Sequence, residues 1–175
     1  MAVPAARGCD PVKAPLLFLG WGNPSRGDDA LGPLLCERLA QVHGDNARCE
    51  VQQDFQLQVE DAMDLDGRHV VVFIDASADG PAPFTCRAVS PRADGSVTTH
   101  AMSPEAVLAT ADSVFGATPR AFVIGVRGED FALGAPLSAA GAAHLEAAWA
   151  AIDAIAKADD PVAACEALSD VPVQR

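Results

Sequence analysis

Hydrophobic and polar positions follow two alternating patterns along the chain, which predict strands followed by helices. Continuous apolar runs at Leu16–Trp21 and 69–76 are typical of strands buried on both faces. Between Asp28 and about His43, apolar residues recur at the spacing of an amphipathic helix. The other predicted elements are strands at 49–53, 85–90 and 120–126, a weaker helix within 57–66, and helices capped by Ser103 and Ser138, the last running to about Lys157.

This alternation favours one fold class. Apolar strands separated by amphipathic helices predict a three-layer α/β domain, with a mainly parallel sheet and helices on both faces. We place the domain at 15–157, after a flexible leader at 1–14. The polar segment 158–175 carries two prolines and is interpreted as a frayed C-terminal tail. In such folds, functional sites form at the carboxyl ends of the strands, where the strand order reverses.

Composition narrows the range of partners. The 175 residues include 12 basic and 24 acidic side chains, for a net charge of −12. This charge argues against nucleic acid or an anionic membrane and favours a cation or a basic peptide. The five cysteines have no CxxC spacing, so we expect reduced thiols. With no signal-peptide pattern and no apolar run near the roughly 20 residues of a membrane span, a cytoplasmic protein is expected.

Three predicted loops carry side chains that bind metals. Asp28 and Asp29 follow the first strand in "GWGNPSRGDDALG", Asp75 closes "VVVFID", and His100 lies in "SVTTHAMSPE". Carboxylate and imidazole groups suit zinc, nickel, manganese or iron, and three ligands leave positions open for a substrate or water. A simpler interpretation is that the acids in the first helical turn only complement the helix dipole, and that the histidine is a surface residue.

A nucleotide loop is the competing interpretation of the first segment. Its glycines have GxGxxxxG spacing rather than GxGxxG, and Ser25 stands where the third glycine belongs. A pyrophosphate would also need the positive end of the following helix. Asp28 and Asp29 occupy that position and would repel it, so the sequence favours a cation over a phosphate.

Four segments, in this order, resemble the hydrogenase maturation endopeptidases. The opening "LGWGNPSRGDDALGPLL" is similar to the family signature GxGNxxxxDDGxG, and "VVFIDA" is similar to its central strand end. "TTHAMSPEAVL" and "FVIGVRGEDFALGAPLS" resemble its histidine segment and its late strand and loop. The resemblance covers about 16–157, so it includes nearly the whole predicted domain.

The resemblance implies a twisted five-stranded sheet and an aspartyl-type endopeptidase activity. The expected substrate is the nickel-loaded large-subunit precursor of a nickel–iron hydrogenase, which loses a C-terminal extension. The family's metal-contacting and catalytic residues fall on Asp29, Asp75 and His100. Nickel would arrive with the substrate instead of staying in the protease, and a monomer is expected. The residues implied to shape or support the first loop are Gly20, Gly22, Asn23 and Asp28.

The segment "DFQLQVED" at 54–61 departs from one branch of the family. Many members have a DGGT turn here, and this sequence resembles instead the branch that serves cytoplasmic, NAD-reducing hydrogenases. Gln56 and Glu60 are therefore candidates for substrate selection, or else an ordinary solvated helix face. Two further alternatives stay open: a nickel-sensing assembly factor that does not cleave, and a metallohydrolase with a resident metal. The residues also leave open which carboxylate, if either, is the general base.

Overall fold

A five-stranded sheet organises the domain. The computed structural model describes residues 13–92, 102–116 and 118–169. The strands are β1 (Leu16–Trp21), β2 (Cys49–Asp54), β3 (Val70–Ser77), β4 (Phe84–Val89) and β5 (Arg120–Arg127). The helices are α1 (Leu31–His43), α2 (Ala62–Leu65), α3 (Pro104–Phe115), α4 (Ala139–Lys157) and α5 (Pro161–Ser169), with 3₁₀ turns at Gly27–Ala30 and Val59–Asp61.

The strand order is β2-β1-β3-β5-β4. The first four of these strands run parallel, and β4 pairs with β5 in the antiparallel direction. The prediction of a mainly parallel α/β sheet is therefore confirmed. The chain moves from β1 to one neighbour, β2, and then crosses to the other side of β1 to form β3. The carboxyl ends of β1 and β3 thus flank the point where the strand order reverses, which is where α/β folds place their sites.

Helices cover both faces of the sheet because successive strand residues point to opposite sides. On one face, Phe18, Val72 and Ile124 pack against α1, α4 and α5. On the other face, Leu19 and Phe73 pack against α2 and α3. All five of these strand residues are at most 1% exposed. None of the helices in the described residues combines the length and the hydrophobicity that a membrane span requires.

The interpretation of 158–175 as a frayed tail is wrong for its first half. Pro161–Ser169 form α5, and Cys165 in this helix is fully buried. Val162 and Leu168 lie three residues to either side of Cys165 and also pack on the core, so one apolar face covers the sheet. The sequence contains a helix start signal here, because Asp160 precedes a proline at the first helical position. In the structure, Asp160 accepts a hydrogen bond from the backbone N–H of Ala163.

The helix predicted from Asp28 begins later. Gly27–Ala30 form a 3₁₀ turn, and α1 begins at Leu31. The backbone N–H of Asp28 donates to the carbonyl of Asp130 at 2.7 Å, in the loop that follows β5. This long-range bond fixes the turn before the regular helix can begin.

Candidate active site

Two carboxylates lie at the reversal point of the sheet. Asp29 is in the 3₁₀ turn that follows β1, and Asp75 is near the carboxyl end of β3, beside Gly125 of β5. Both side chains are half-buried, and the charge of Asp29 acts on the carboxyl of Asp75. The structure therefore brings together two of the three residues expected to contact a metal, although 46 positions separate them in the sequence.

The β1 loop folds back on itself and holds Asp29. The backbone N–H of Asn23 donates to Oδ2 of Asp29 at 3.0 Å, and Oδ1 of Asn23 accepts from the N–H of Ser25 at 2.9 Å. Gly22 has a φ of 145°, and a Cβ atom there would collide with the carbonyl oxygen of Asp29. Gly20 lies earlier, in β1, where a side chain would meet Sγ of Cys36. Close approach of the chain to itself thus requires glycine at both positions.

Asp75 has a strongly perturbed carboxyl group. Burial raises its pKa to about 7 from an ordinary 3.8, a hydrogen bond from the N–H of Ala76 opposes that shift, and the negative charge of Asp29 adds to it. A carboxyl group that titrates near neutral pH can accept or donate a proton under physiological conditions. The raised pKa of Asp75 also means that a bound cation would be favourable here, because it would relieve the repulsion between the two carboxylates.

Asp28 is fully buried, and its carboxylate bonds to residues that follow β5. Its Oδ2 accepts from the backbone N–H groups of Glu129 and Asp130 at 2.7 and 3.2 Å. The N–H and hydroxyl of Ser138 also donate to the carboxylate, each at 2.7 Å. Burial alone would raise the pKa of Asp28, but these hydrogen bonds hold it below its ordinary value. Asp28 therefore joins the β1 loop to the loop after β5.

Sequence reasoning missed the residues that donate hydrogen bonds to Asp28. Ser138 caps α4 by accepting the N–H of Gly141 at 2.9 Å, so the Asp28 carboxylate lies at the positive end of that helix. A Cβ at Gly141 would lie 2.5 Å from Oδ1 of Asp28, which leaves room there only for glycine. The sequence marked Ser138 as a helix cap, but it carried no signal that the cap faces a side chain 110 positions earlier.

No protein-family model and no curated protein matches the chain. Among solved structures it is similar to the [NiFe] hydrogenase maturation protease HycI from Thermococcus kodakarensis KOD1, with 23% identity and a TM-score of 0.64 over 83% of this chain and 94% of that one. It is also similar to the hydrogenase maturating endopeptidase HybD from E. coli, with 23% identity and a TM-score of 0.58 over 78% and 88%.

This is the fold of the hydrogenase maturation proteases. A hydrogenase 2 maturation peptidase from a Thaumarchaeota archaeon has it as well, at 21% identity and a TM-score of 0.56, over 78% of this chain and 94% of that one. Because each of the three proteins is covered over at least 88% of its length, the likeness extends across the whole domain. The expected five-stranded sheet of that fold is present in the described residues.

His100, the third predicted metal contact, lies outside the described residues. Met102 is the first described residue after it, and its backbone N–H donates to the carbonyl of Leu57 at 3.0 Å. Ser103 caps α3, as the sequence predicted, by accepting the N–H of Ala106. The segment after the predicted histidine is therefore attached beside the segment that follows β2.

Gln56 and Glu60, the candidates for substrate selection, are both exposed. They belong to the connection between β2 and α2, which begins at the same edge of the sheet as the β1 loop. The carbonyl of Asp54 at the end of β2 accepts the N–H of Gly22 at 3.2 Å. In this maturation-protease fold, the two residues thus lie on a connection that borders the β1 loop.

The four cysteines among the described residues are free and buried. Burial raises the pKa of Cys36 to about 12 and that of Cys49 to about 11, so neither is a thiolate at neutral pH. Sγ of Cys86 lies 3.6 Å from the carbonyl oxygen of Cys165, beneath α5 and away from the two aspartates. Nucleophilic chemistry by Cys36 and Cys49 is therefore disfavoured, whereas the hydrogen bond with Cys165 lowers the pKa of the Cys86 thiol.

Proposed function

We propose that this protein is an endopeptidase that removes a C-terminal extension from the nickel-loaded large-subunit precursor of a nickel–iron hydrogenase. One observation supports the proposal: the charge of Asp29 acts on the carboxyl of Asp75 at the reversal point of a fold shared with maturation proteases. The resemblance at "TTHAMSPEAVL" adds His100 as the third contact. The partner is the precursor, and the branch that serves cytoplasmic, NAD-reducing hydrogenases is the proposed source of that substrate.

Nickel in this proposal belongs to the substrate. Two carboxylates and an imidazole form a donor set that suits a divalent transition metal and leaves coordination positions for the precursor's own ligands. A half-buried pair of acids gains most from a cation that neutralises both, because their mutual repulsion is then removed. Recognition of the metal would place the scissile peptide bond beside Asp29 and Asp75.

Hydrolysis then needs a base for the attacking water. Asp75 is the better suited carboxylate, since burial and the charge of Asp29 raise its pKa to about 7 in the metal-free protein. Asp75 would take a proton as the water oxygen attacks the carbonyl carbon, and would return it to the leaving amide nitrogen. The C–N bond breaks, one water is consumed, and two chain ends are released. Asp29, held by the N–H of Asn23, would serve as a metal contact.

The deciding experiment incubates the purified protein with nickel-loaded and nickel-free precursor and follows their intact masses. We expect loss of a C-terminal peptide from the loaded form alone. If the protein binds the loaded precursor but leaves its mass unchanged, it is a non-cleaving nickel sensor. Elemental analysis after dialysis tests the other alternative, because stoichiometric metal in the isolated protein would mark a hydrolase with a resident ion.

A further inference from the structure

Three large apolar side chains are exposed in the connection that follows β2. Phe55, Val59 and Met63 have 64, 54 and 65% of their surface exposed. Val59 begins the 3₁₀ turn that continues into α2, so Val59 and Met63 lie four residues apart on one side of a continuous helical segment. We call these three residues the apolar strip. Single exposed apolar residues are ordinary, but three within nine positions concentrate hydrophobic surface in one place.

The apolar strip lies in a strongly acidic stretch of chain. Residues 49–67 contain no lysine or arginine, and their acids are Glu50, Asp54, Glu60, Asp61, Asp64 and Asp66. Several of these charges lie close together, since burial and the neighbouring charges of Asp54, Asp64 and Glu60 raise the pKa of Asp61. Two positive charges lie nearby: Arg68 is buried and paired with Glu50 at 2.7 Å, and Lys13 donates to the carbonyl of Met63, so the six acids still outnumber them.

One backbone hydrogen bond links the connection that carries the apolar strip to the β1 loop of the candidate site, and a second links it to the start of the segment before α3. The carbonyl of Asp54, immediately before Phe55, accepts the N–H of Gly22 at 3.2 Å. Gly22 is followed by Asn23, whose backbone N–H donates to Asp29. Leu57, between Phe55 and Val59, accepts the N–H of Met102 at 3.0 Å. A protein that presents a cation to Asp29 and Asp75 would therefore cover this surface as well.

We propose that Phe55, Val59 and Met63, with the acids around them, form the docking surface for a basic, apolar-bearing surface of the nickel-loaded precursor. This inference rests on the proposed function, because it takes the partner to be the protein that carries the metal. Apolar contacts supply affinity in a desolvated centre, and the surrounding charges orient the partner and reject acidic surfaces. Docking next to the carboxylates then places the metal and the scissile bond.

The apolar strip has a matched control elsewhere in the chain. Val114 is 66% exposed near the end of α3, which leads into the amino end of β5 and so lies at the opposite end of the strands. We compare the double variant Phe55→Ser with Val59→Ser against Val114→Ser, using the nickel-loaded precursor as substrate. The double variant should raise KM about tenfold with kcat within about twofold, since interface apolar groups act on binding. An unchanged KM, or an equal rise in Val114→Ser, would overturn the proposal.

The charges are tested by reversal. Glu60→Lys should raise KM and weaken the dependence of KM on salt, because one attractive partner of the basic surface becomes repulsive. Asp112→Lys makes the same charge change at an exposed position of α3 and should leave both quantities at wild-type values. Equal effects of the two variants would contradict a local acidic docking surface. The net charge of the protein would then explain the change in KM.

Direct binding separates a failure of this inference from a failure of the proposed function. The affinity of the wild type and each variant for loaded precursor is measured on immobilised precursor, with thermal unfolding as the folding check. If the wild type binds without cleaving, the proposed activity fails, and weaker binding by the double variant alone still supports the docking surface. If the wild type does not bind the loaded precursor, both proposals are overturned.

Discussion

The carboxylate of Asp28 accepts both the backbone N–H and the hydroxyl of Ser138, each at 2.7 Å, across 110 positions of sequence. The same hydroxyl caps α4 through Gly141. One buried acid therefore joins the loop after β1 to the start of the last long helix. Asp29 is the next residue, so this contact fixes the backbone that carries the candidate metal contact.

Asp28→Asn should lower the free energy of unfolding by about 3 kcal/mol, because an amide nitrogen would face buried N–H donors. Its carboxyl pKa lies below the unfolded value of 3.8. The stabilisation is therefore present above that pH and is lost as the pH falls through the folded-state pKa. Urea unfolding at pH 7 and pH 3 measures both effects. Asp29→Asn is the control, and we expect it to change stability by less than about 1 kcal/mol. Equal losses in the two variants would contradict the role given to Asp28.

Asp75→Asn should stabilise the metal-free protein above neutral pH. The folded-state pKa of about 7 exceeds the unfolded value of 3.8, so the folded state binds the extra proton between these values. The stability that the protonated Asp75 carboxyl contributes is fully present below pH 3.8 and is lost as the pH rises to 7. The variant should match the wild type near pH 4 and exceed it at pH 8 by up to about 4 kcal/mol, at about 1.4 kcal/mol per pKa unit. Denaturant titrations with a chelator present would refute this if the two curves coincide at pH 8.

Asp29→Asn should lower the pKa of Asp75. The charge of Asp29 contributes to the upward shift after burial, and the amide removes that charge while keeping the side-chain size. A carboxyl-carbon NMR titration of wild type and variant measures the two pKa values. An unchanged value for Asp75 would mean that the two carboxylates are too far apart to share a cation.

Removing the chain after Asp159 should destabilise the domain by about 3 kcal/mol or more, because it exposes apolar core that α5 covers. Cys86 would become accessible, since its thiol donates to the carbonyl of Cys165 in that helix. Thermal unfolding and the rate of thiol labelling report the two consequences. A truncation after Ser169 serves as the control and should behave like the full chain. Wild-type stability without α5 would support the sequence interpretation of a frayed tail.

His100→Ala should abolish processing of the nickel-loaded precursor while changing the free energy of unfolding by less than about 1 kcal/mol. The reason is chemical, since the variant removes an imidazole proposed to contact the metal. Cleavage rate and thermal unfolding are measured on the same preparation. Full activity would remove His100 from the proposed site, and loss of both folding and activity would give it a structural role instead.

Local patterns predicted most of the fold. Unbroken apolar runs identified β1, β3 and β5, and the serine caps placed the starts of α3 and α4. The tail was misread because the apolar face formed by Val162, Ala164, Cys165 and Leu168 lies among prolines and acids, which drew attention away from its helical spacing. For α5, the decisive interaction is with a strand far away in sequence.

For the candidate site as well, the sequence indicated the acidic residues but not their long-range contacts. Asp29 and Asp75 were singled out because a parallel sheet brings the carboxyl ends of its strands to one edge, and their role as metal contacts stays a prediction. The partners of Asp28 were not found, because Glu129, Asp130 and Ser138 contribute mainly backbone N–H groups, which leave no residue-type signal in the sequence. The raised pKa of Asp75 likewise depends on burial, which no spacing rule supplies.

The measurement that tests the central claim most directly is the intact mass of nickel-loaded precursor after incubation with the wild type and with Asp29→Asn. The account predicts loss of one C-terminal peptide with the wild type, and a rate at least about 100-fold lower with the variant, because the variant removes a proposed contact to the substrate's nickel. Nickel-free precursor should keep its full mass with both proteins. Cleavage of nickel-free precursor at the same rate, or equal rates for wild type and variant, would contradict the account.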